Sequence, residues 1–253
     1  MSETISFLTK NICSGATHLG IGAHKSQVDY YKKQANLLDY NSTVCEVGFN
    51  CGHSASVFLD SNNSLNVVSF DLPNYKWTSN ATKYMKNKYG KRLYIINGNS
   101  LVTIPKQVSS KTIMCDLFIV DGAHNFINPF FDILNLLKLS SCNTRIIMDD
   151  VCDYKKCHAH FSNGNNNHVV IGPTQAWEEA KRSGYIYQEE LITSAFDRGW
   201  ALGKPVCYKN NYDKNITIKN LNPVFVSYHP NKPTNAQYSR DKRQREEIKK
   251  YLK

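Results

Sequence analysis

Five acids and one histidine fall where short apolar runs end. Glu46 is next to last in TVCEV, two residues ahead of Gly48 and six ahead of Gly52, and Asp71 closes VVSFD. Asp121 follows DLFIV, with His124 three residues on, and Asp149 and Asp150 end IIMDD. If those runs are strands of one open α/β sheet, all six groups gather beyond the strands' carboxyl ends, where such sheets bind ligands. The Gly48-x-x-x-Gly52 turn would open a helix whose free N–H groups and positive dipole end suit an anionic ligand group. Its spacing matches neither G-x-G-x-x-G nor the Lys-Ser/Thr of a P-loop. Glu46 suits a cationic ligand part such as an α-amino group. Asp71, at the end of a second strand, stands where doubly wound folds grip a ribose diol; the alternative is a solvated loop acid.

Asp121, Asp149 and Asp150 would repel one another strongly unless protons or a cation compensate. An all-oxygen donor set favours a hard divalent ion, Mg²⁺ or Mn²⁺. The competing arrangement places Asp121 in a cofactor pocket and makes Asp149–Asp150 a helix cap. His124, with an ordinary pKa of ~6.5, is suited to general-base work at neutral pH; its bland alternative is a histidine bonded to loop backbone.

The elements that must position these groups are legible as a pattern. Continuous, β-branched runs at Thr43–Val47, Asn66–Phe70, Arg92–Ile96, Asp116–Val120 and Thr144–Met148 predict strands buried on both faces of a parallel sheet. Ile127–Leu139 has the broad apolar face of a helix packed on it. Pro173–Ser183 reads as a helix with Pro at its first turn and Gly184 past its end. Tyr185–Thr193 and Trp200–Gly203 read as an antiparallel pair closing the sheet. The expected architecture is α/β: a doubly wound, mostly parallel Rossmann-like sheet with an antiparallel C-terminal strand pair. Three regions follow: an N-terminal helical lid over 1–40, the sheet domain over 41–209, and an extension over 210–253 with a basic tail.

The run EVGFNCGHSA resembles motif I of class I S-adenosylmethionine-dependent methyltransferases, in particular the metal-dependent O-methyltransferases of catechol, caffeoyl-coenzyme A and macrocin type. The resemblance covers about Val44–Asp150. It implies that Glu46, Gly48 and Gly52 hold the methionine part of S-adenosylmethionine, that Ser54 meets its carboxylate and that Asp71 binds the ribose hydroxyls. NGNS resembles the segment bordering adenine, which implicates Asn99 and Ser100. Asp121, Asp149 and Asp150 match the family's metal-binding positions, with Asp150 where the catechol type carries Asn. His124 stands where that type carries a basic Lys. The implied activity is metal-assisted methylation of a hydroxyl on a small molecule such as a vicinal diol, phenol or sugar.

Composition narrows the rivals. The 253 residues hold 31 Lys+Arg against 21 Asp+Glu, net +10, and 41% are hydrophobic, as expected of a folded chain. No apolar run approaches the ~20 residues of a membrane span. No secretory signal is evident, so the expected location is cytoplasmic and the cysteines are read as reduced thiols. Residues 231–253 carry eight basic side chains against three acids, half the net charge. That tail motivates an RNA ribose 2′-O-methyltransferase as the first rival; a non-catalytic S-adenosylmethionine-binding protein is the second. The Cys152–His168 stretch is rich in Cys and His, but its spacing fits no common zinc pattern. Trp177 and Trp200 read as core or pocket wall.

Overall fold

The computed structural model describes residues 2–14, 25–154, 168–193 and 198–207. Helix α1 (Glu3–Phe7) runs into a π-helical turn, Leu8–Ile12, and α2 spans Lys25–Asn36. Then β1 (Thr43–Val47), α3 (His53–Ser61), β2 (Asn66–Asp71), α4 (Lys76–Tyr89), β3 (Leu93–Asn97), α5 (Ser100–Ser110), β4 (Cys115–Val120), α6 (Ile127–Leu137) and β5 (Ser140–Val151) alternate. Helix α7 (His168–Arg182), β6 (Ile186–Ile192) and β7 (Gly199–Pro205) follow. One seven-stranded sheet has the order β3-β2-β1-β4-β5-β7-β6. Its first five strands are parallel, and β7 runs antiparallel to both β5 and β6.

The predicted strands appear where continuous apolar runs stand, because a strand covered on both faces tolerates no polar alternation. Val44, Val67, Leu117, Ile119 and Ile147 share a buried cluster with Ile5, Tyr31, Phe58 and Met85 from α1–α4 and with Leu8 of the π-helical turn. Helix α6 is buried along almost its whole length, so it fills an interior layer. Helix α7 starts at His168, which leaves Pro173 inside the helix rather than at its first turn. Gly172 explains the tight fit there: a Cβ at that position would overlap the backbone carbonyl of His124. Trp177 and Trp200 are core residues, 1% and 7% exposed.

Two findings correct the expectation of reduced thiols. Cys13 pairs with Cys51, and Cys45 pairs with Cys115, as disulfides. The partners lie 38 and 70 residues apart in sequence, so no local spacing such as CxxC announces them. Packing brings them together: Cys45 and Cys115 sit on adjacent parallel strands with Cα atoms 5.7 Å apart. Met1–Val206 forms one compact unit and Cys207–Lys253 a second. The basic tail and Cys157, His158 and His160 lie outside the described residues, as does the side chain of His168. Among the described residues, no helix is long and apolar enough to cross a membrane.

Candidate active site

The site forms because β1, β2 and β4 end side by side. The N–H of Gly48 donates to the Phe70 carbonyl, and that of Asp121 to the Val47 carbonyl, each at 2.9 Å. These bonds lay the β1–α3 loop between the ends of its neighbours. Gly48 has φ +100°, and a Cβ there would strike the Asp121 carbonyl; both facts require glycine. A cavity of about 370 Å³ opens at this edge. Gly48, Ser54, Asp71, Asn99, Ser100, Asp121 and His124 are on its wall, together with Asn50 and Arg198.

Glu46 does not line the cavity. It lies 1% exposed behind the loop, where Ser54 Oγ donates to Oε2 at 2.6 Å and Ser69 Oγ donates to Oε1 at 2.5 Å. Ser69 is its register partner on β2. Burial pushes the carboxyl up to about 7, although both serine bonds oppose the shift. Glu46 therefore acts on the cavity through Ser54, which does line it. Gly52 takes a left-handed conformation immediately before α3 and also lies off the wall.

Asp71 faces the cavity and receives the Asn50 N–H at 3.2 Å. Burial raises it to about 6, opposed by backbone bonds from Asn50, Leu72 and Phe49. Asn50 itself has φ +47° and accepts the Trp77 indole N–H at 2.8 Å. On the far wall Asn99 caps α5, its Oδ1 accepting from the Leu101 N–H at 3.0 Å. Ser100 is the first residue of that helix.

The acidic constellation splits in a way its spacing conceals. Strand β5 breaks register with β7 between Met148 and Val151, and Asp150 within that break has φ +56°. A bulge re-aims side chains that would otherwise alternate. Asp150, 2% exposed, places Oδ2 2.6 Å from His124 Nε2 and pairs through Oδ1 with Arg198 Nε. Asp149 is turned elsewhere: Gln27 Nε2 donates to its Oδ2 at 2.7 Å, and the Asp150 N–H donates to its Oδ1 at 2.8 Å. The group whose donor atoms converge is Asp121, His124 and Asp150, all within 4.8 Å of one another. Burial, then the charges of Asp149 and Asp150, push Asp121 well above the ordinary carboxylate range. Burial also acts against Asp150, but His124 and Arg198 outweigh it and hold its carboxyl below the usual value.

Arg198 and Gln27 belong to this site and carry no motif. Arg198 lies just before β7, and Gln27 in α2 reaches the site from 122 residues away in sequence.

Residues 45–151 match the family model described as a methyltransferase domain, and the seven-stranded sheet with its reversed β7 is a Rossmann-like methyltransferase fold. Among solved structures, an O-methyltransferase from Bacillus cereus in complex with SAH is similar at 14% identity and TM-score 0.62, over 81% of this chain and 91% of its own. TomG, an O-methyltransferase of tomaymycin synthesis from Streptomyces achromogenes solved with SAM, is similar at 15% identity and TM-score 0.62, covering 82% and 91%. A putative caffeoyl-CoA O-methyltransferase from Staphylococcus aureus gives 15%, 0.58, 72% and 83%. No curated protein sequence matches the chain.

Proposed function

We propose that the protein transfers a methyl group from S-adenosylmethionine to a hydroxyl of a small molecule (a vicinal diol, phenol or sugar) with a divalent cation at its acidic cluster. The observation that carries this reading is one shared cavity. Its wall joins Asp71, Ser54 and the N-terminal end of α3, suited to the ribose and the methionine carboxylate, to Asp121 and His124, beside the buried Asp150. Glu46 supports the cofactor end by fixing Ser54.

Two carboxylates and an imidazole within 4.8 Å fit a hard or borderline divalent ion. Asp121 and Asp150 would hold it, Mn²⁺ suiting a neighbouring nitrogen better than Mg²⁺; when bound, such an ion lowers the pKa of a coordinated hydroxyl. The chain's own groups carry the remainder. With Nε2 directed at Asp150, Nδ1 of His124 is the nitrogen that takes the acceptor's proton. The acceptor oxygen forms the new C–O bond as the C–S bond of the sulfonium breaks, leaving S-adenosylhomocysteine and a protonated His124. Positioning of the two reactants supplies much of the rate. A second reading has its own observation: the His124 imidazole lies among the converging donor groups, so His124 serves as a ligand and another group takes the proton.

The test is methyl transfer from labelled S-adenosylmethionine to a panel of diols, phenols, sugars and RNA, with and without EDTA. Small-molecule labelling abolished by EDTA is expected. EDTA-insensitive turnover would remove the cation, and labelling of RNA alone would replace the acceptor class.

A further inference from the structure

We propose that Gln27 is a positioning residue that aims the Asp150 carboxylate into the site by holding Asp149 away from it; this rests on the cation-assisted reading above. The two Asp149 oxygens have separate partners, the Gln27 amide at 2.7 Å and the Asp150 N–H at 2.8 Å. The second bond falls within the left-handed turn of Asp150. A left-handed conformation is unfavourable for an L-residue and persists only where its surroundings over-determine it. Here they do so from one side through Asp149, and from the other through His124 and Arg198 on the Asp150 carboxylate. Gln27 closes the chain; it is 5% exposed, and its Nε2 also lies 3.4 Å from the Tyr31 hydroxyl.

Helix α2 is placed for this task. Gln27, Tyr30 and Gln34 recur at helical spacing and all reach the C-terminal half of the sheet. The Tyr30 hydroxyl donates to Glu190 on β6 at 3.0 Å, and Gln34 Oε1 accepts from Arg145 on β5 at 2.8 Å. Gln27 is thus held in register with β5 by a second point about two turns along the same helical face. A neutral amide is the appropriate group, because it donates to Asp149 without adding a positive charge to compete with a cation for the carboxylates. Were Gln27 absent, this Asp149 oxygen would be left without its hydrogen-bond donor beside the Asp150 carboxylate. Rotating it toward the cavity would release the Asp150 N–H and the turn with it.

The experiment titrates the full chain with Mn²⁺ alone, followed by electron paramagnetic resonance, and separately with S-adenosylhomocysteine by calorimetry. Gln27→Leu is expected to weaken Mn²⁺ binding by about tenfold or more, the range typical of groups that orient metal ligands, while S-adenosylhomocysteine affinity stays within about twofold of wild type. The exchange Gln27→Glu with Asp149→Asn keeps both hydrogen bonds and the charge, with the amide now on the β5 side, and is expected to restore Mn²⁺ binding. Wild-type Mn²⁺ affinity in Gln27→Leu overturns the proposal. So do equal losses of both ligands, which mark general damage, or failure of the exchange to restore binding. Wild-type protein that takes up no Mn²⁺ overturns the cation reading itself, a result distinct from any of these.

Discussion

Replacing Glu46 by Gln should make the ligand-free protein more stable at alkaline pH. The carboxyl is fully enclosed, and its pKa rises from 4.5 to about 7. Ionising it in the folded state therefore costs on the order of 3 kcal/mol more than in the unfolded chain. Between those two values the folded state binds more protons than the unfolded one, so stability falls as pH rises through this window and levels off above about 7. Glutamine cannot ionise. Its amide can accept from one of Ser54 and Ser69 and donate to the other, so the internal bonds are kept. Urea unfolding of wild type and Glu46→Gln at pH 4.5 and pH 8, without cofactor, measures the difference. The variant should match wild type at the lower pH and exceed it by about 3 kcal/mol at the higher. Because Asp71 and Asp132 are also raised by burial, the quantity to read is the difference between the two proteins. A variant no more stable than wild type at pH 8 would refute the reasoning: the two serine bonds would then stabilise a carboxylate, not a carboxylic acid.

Asp71, raised to about 6, should lose its capacity as a charged acceptor below that pH. Wild-type affinity for S-adenosylhomocysteine should fall as pH drops through 6, whereas Asp71→Asn should bind about 10- to 100-fold more weakly without that dependence; calorimetry across pH 5–8 checks both. Reduction of the Cys13–Cys51 and Cys45–Cys115 bridges removes loop closures of 38 and 70 residues. Each is worth up to about 4 kcal/mol by chain entropy, so dithiothreitol should lower the urea midpoint, and an unchanged midpoint would count against the pairing. Saturating Mn²⁺ should raise the thermal midpoint of wild type by mass action. Asp150→Asn should abolish that rise, seen by calorimetric scanning; a rise that survives the substitution would place the ion elsewhere.

Much of the site's outline is legible in the sequence because a buried parallel strand must be apolar along its whole length. The first polar residue after each run therefore marks the sheet's carboxyl edge, and Asp71, Asp121, Asp149 and Asp150 are found by that rule alone. The direction in which each side chain points is not. Asp149 and Asp150 are adjacent and chemically alike, yet a bulge and a left-handed turn send one to Gln27 and the other to His124. No local pattern encodes a glutamine 122 residues upstream, or an arginine that enters only because β7 folds back against β5. Glu46 is similar. Its place before the glycine turn is visible, but its enclosure depends on Ser69, which reaches it only through the β1–β2 register.

The charge balance of the cluster follows from these same contacts. Among the described residues that the site brings together, three carboxyl groups meet one guanidinium and one imidazole, and these two partners are not shared equally. Asp150 takes both partners and stays below the usual range, while Asp121 is driven well above it. On the cation-assisted reading proposed above, a divalent ion would meet Asp121 on the side that faces the cavity, where His124 is also present. A divalent ion at this position would relieve Asp121 and leave Arg198 on Asp150 undisturbed. On that reading the arrangement separates two cationic duties, one held by Arg198 before β7 and the other by an ion that exchanges with solvent.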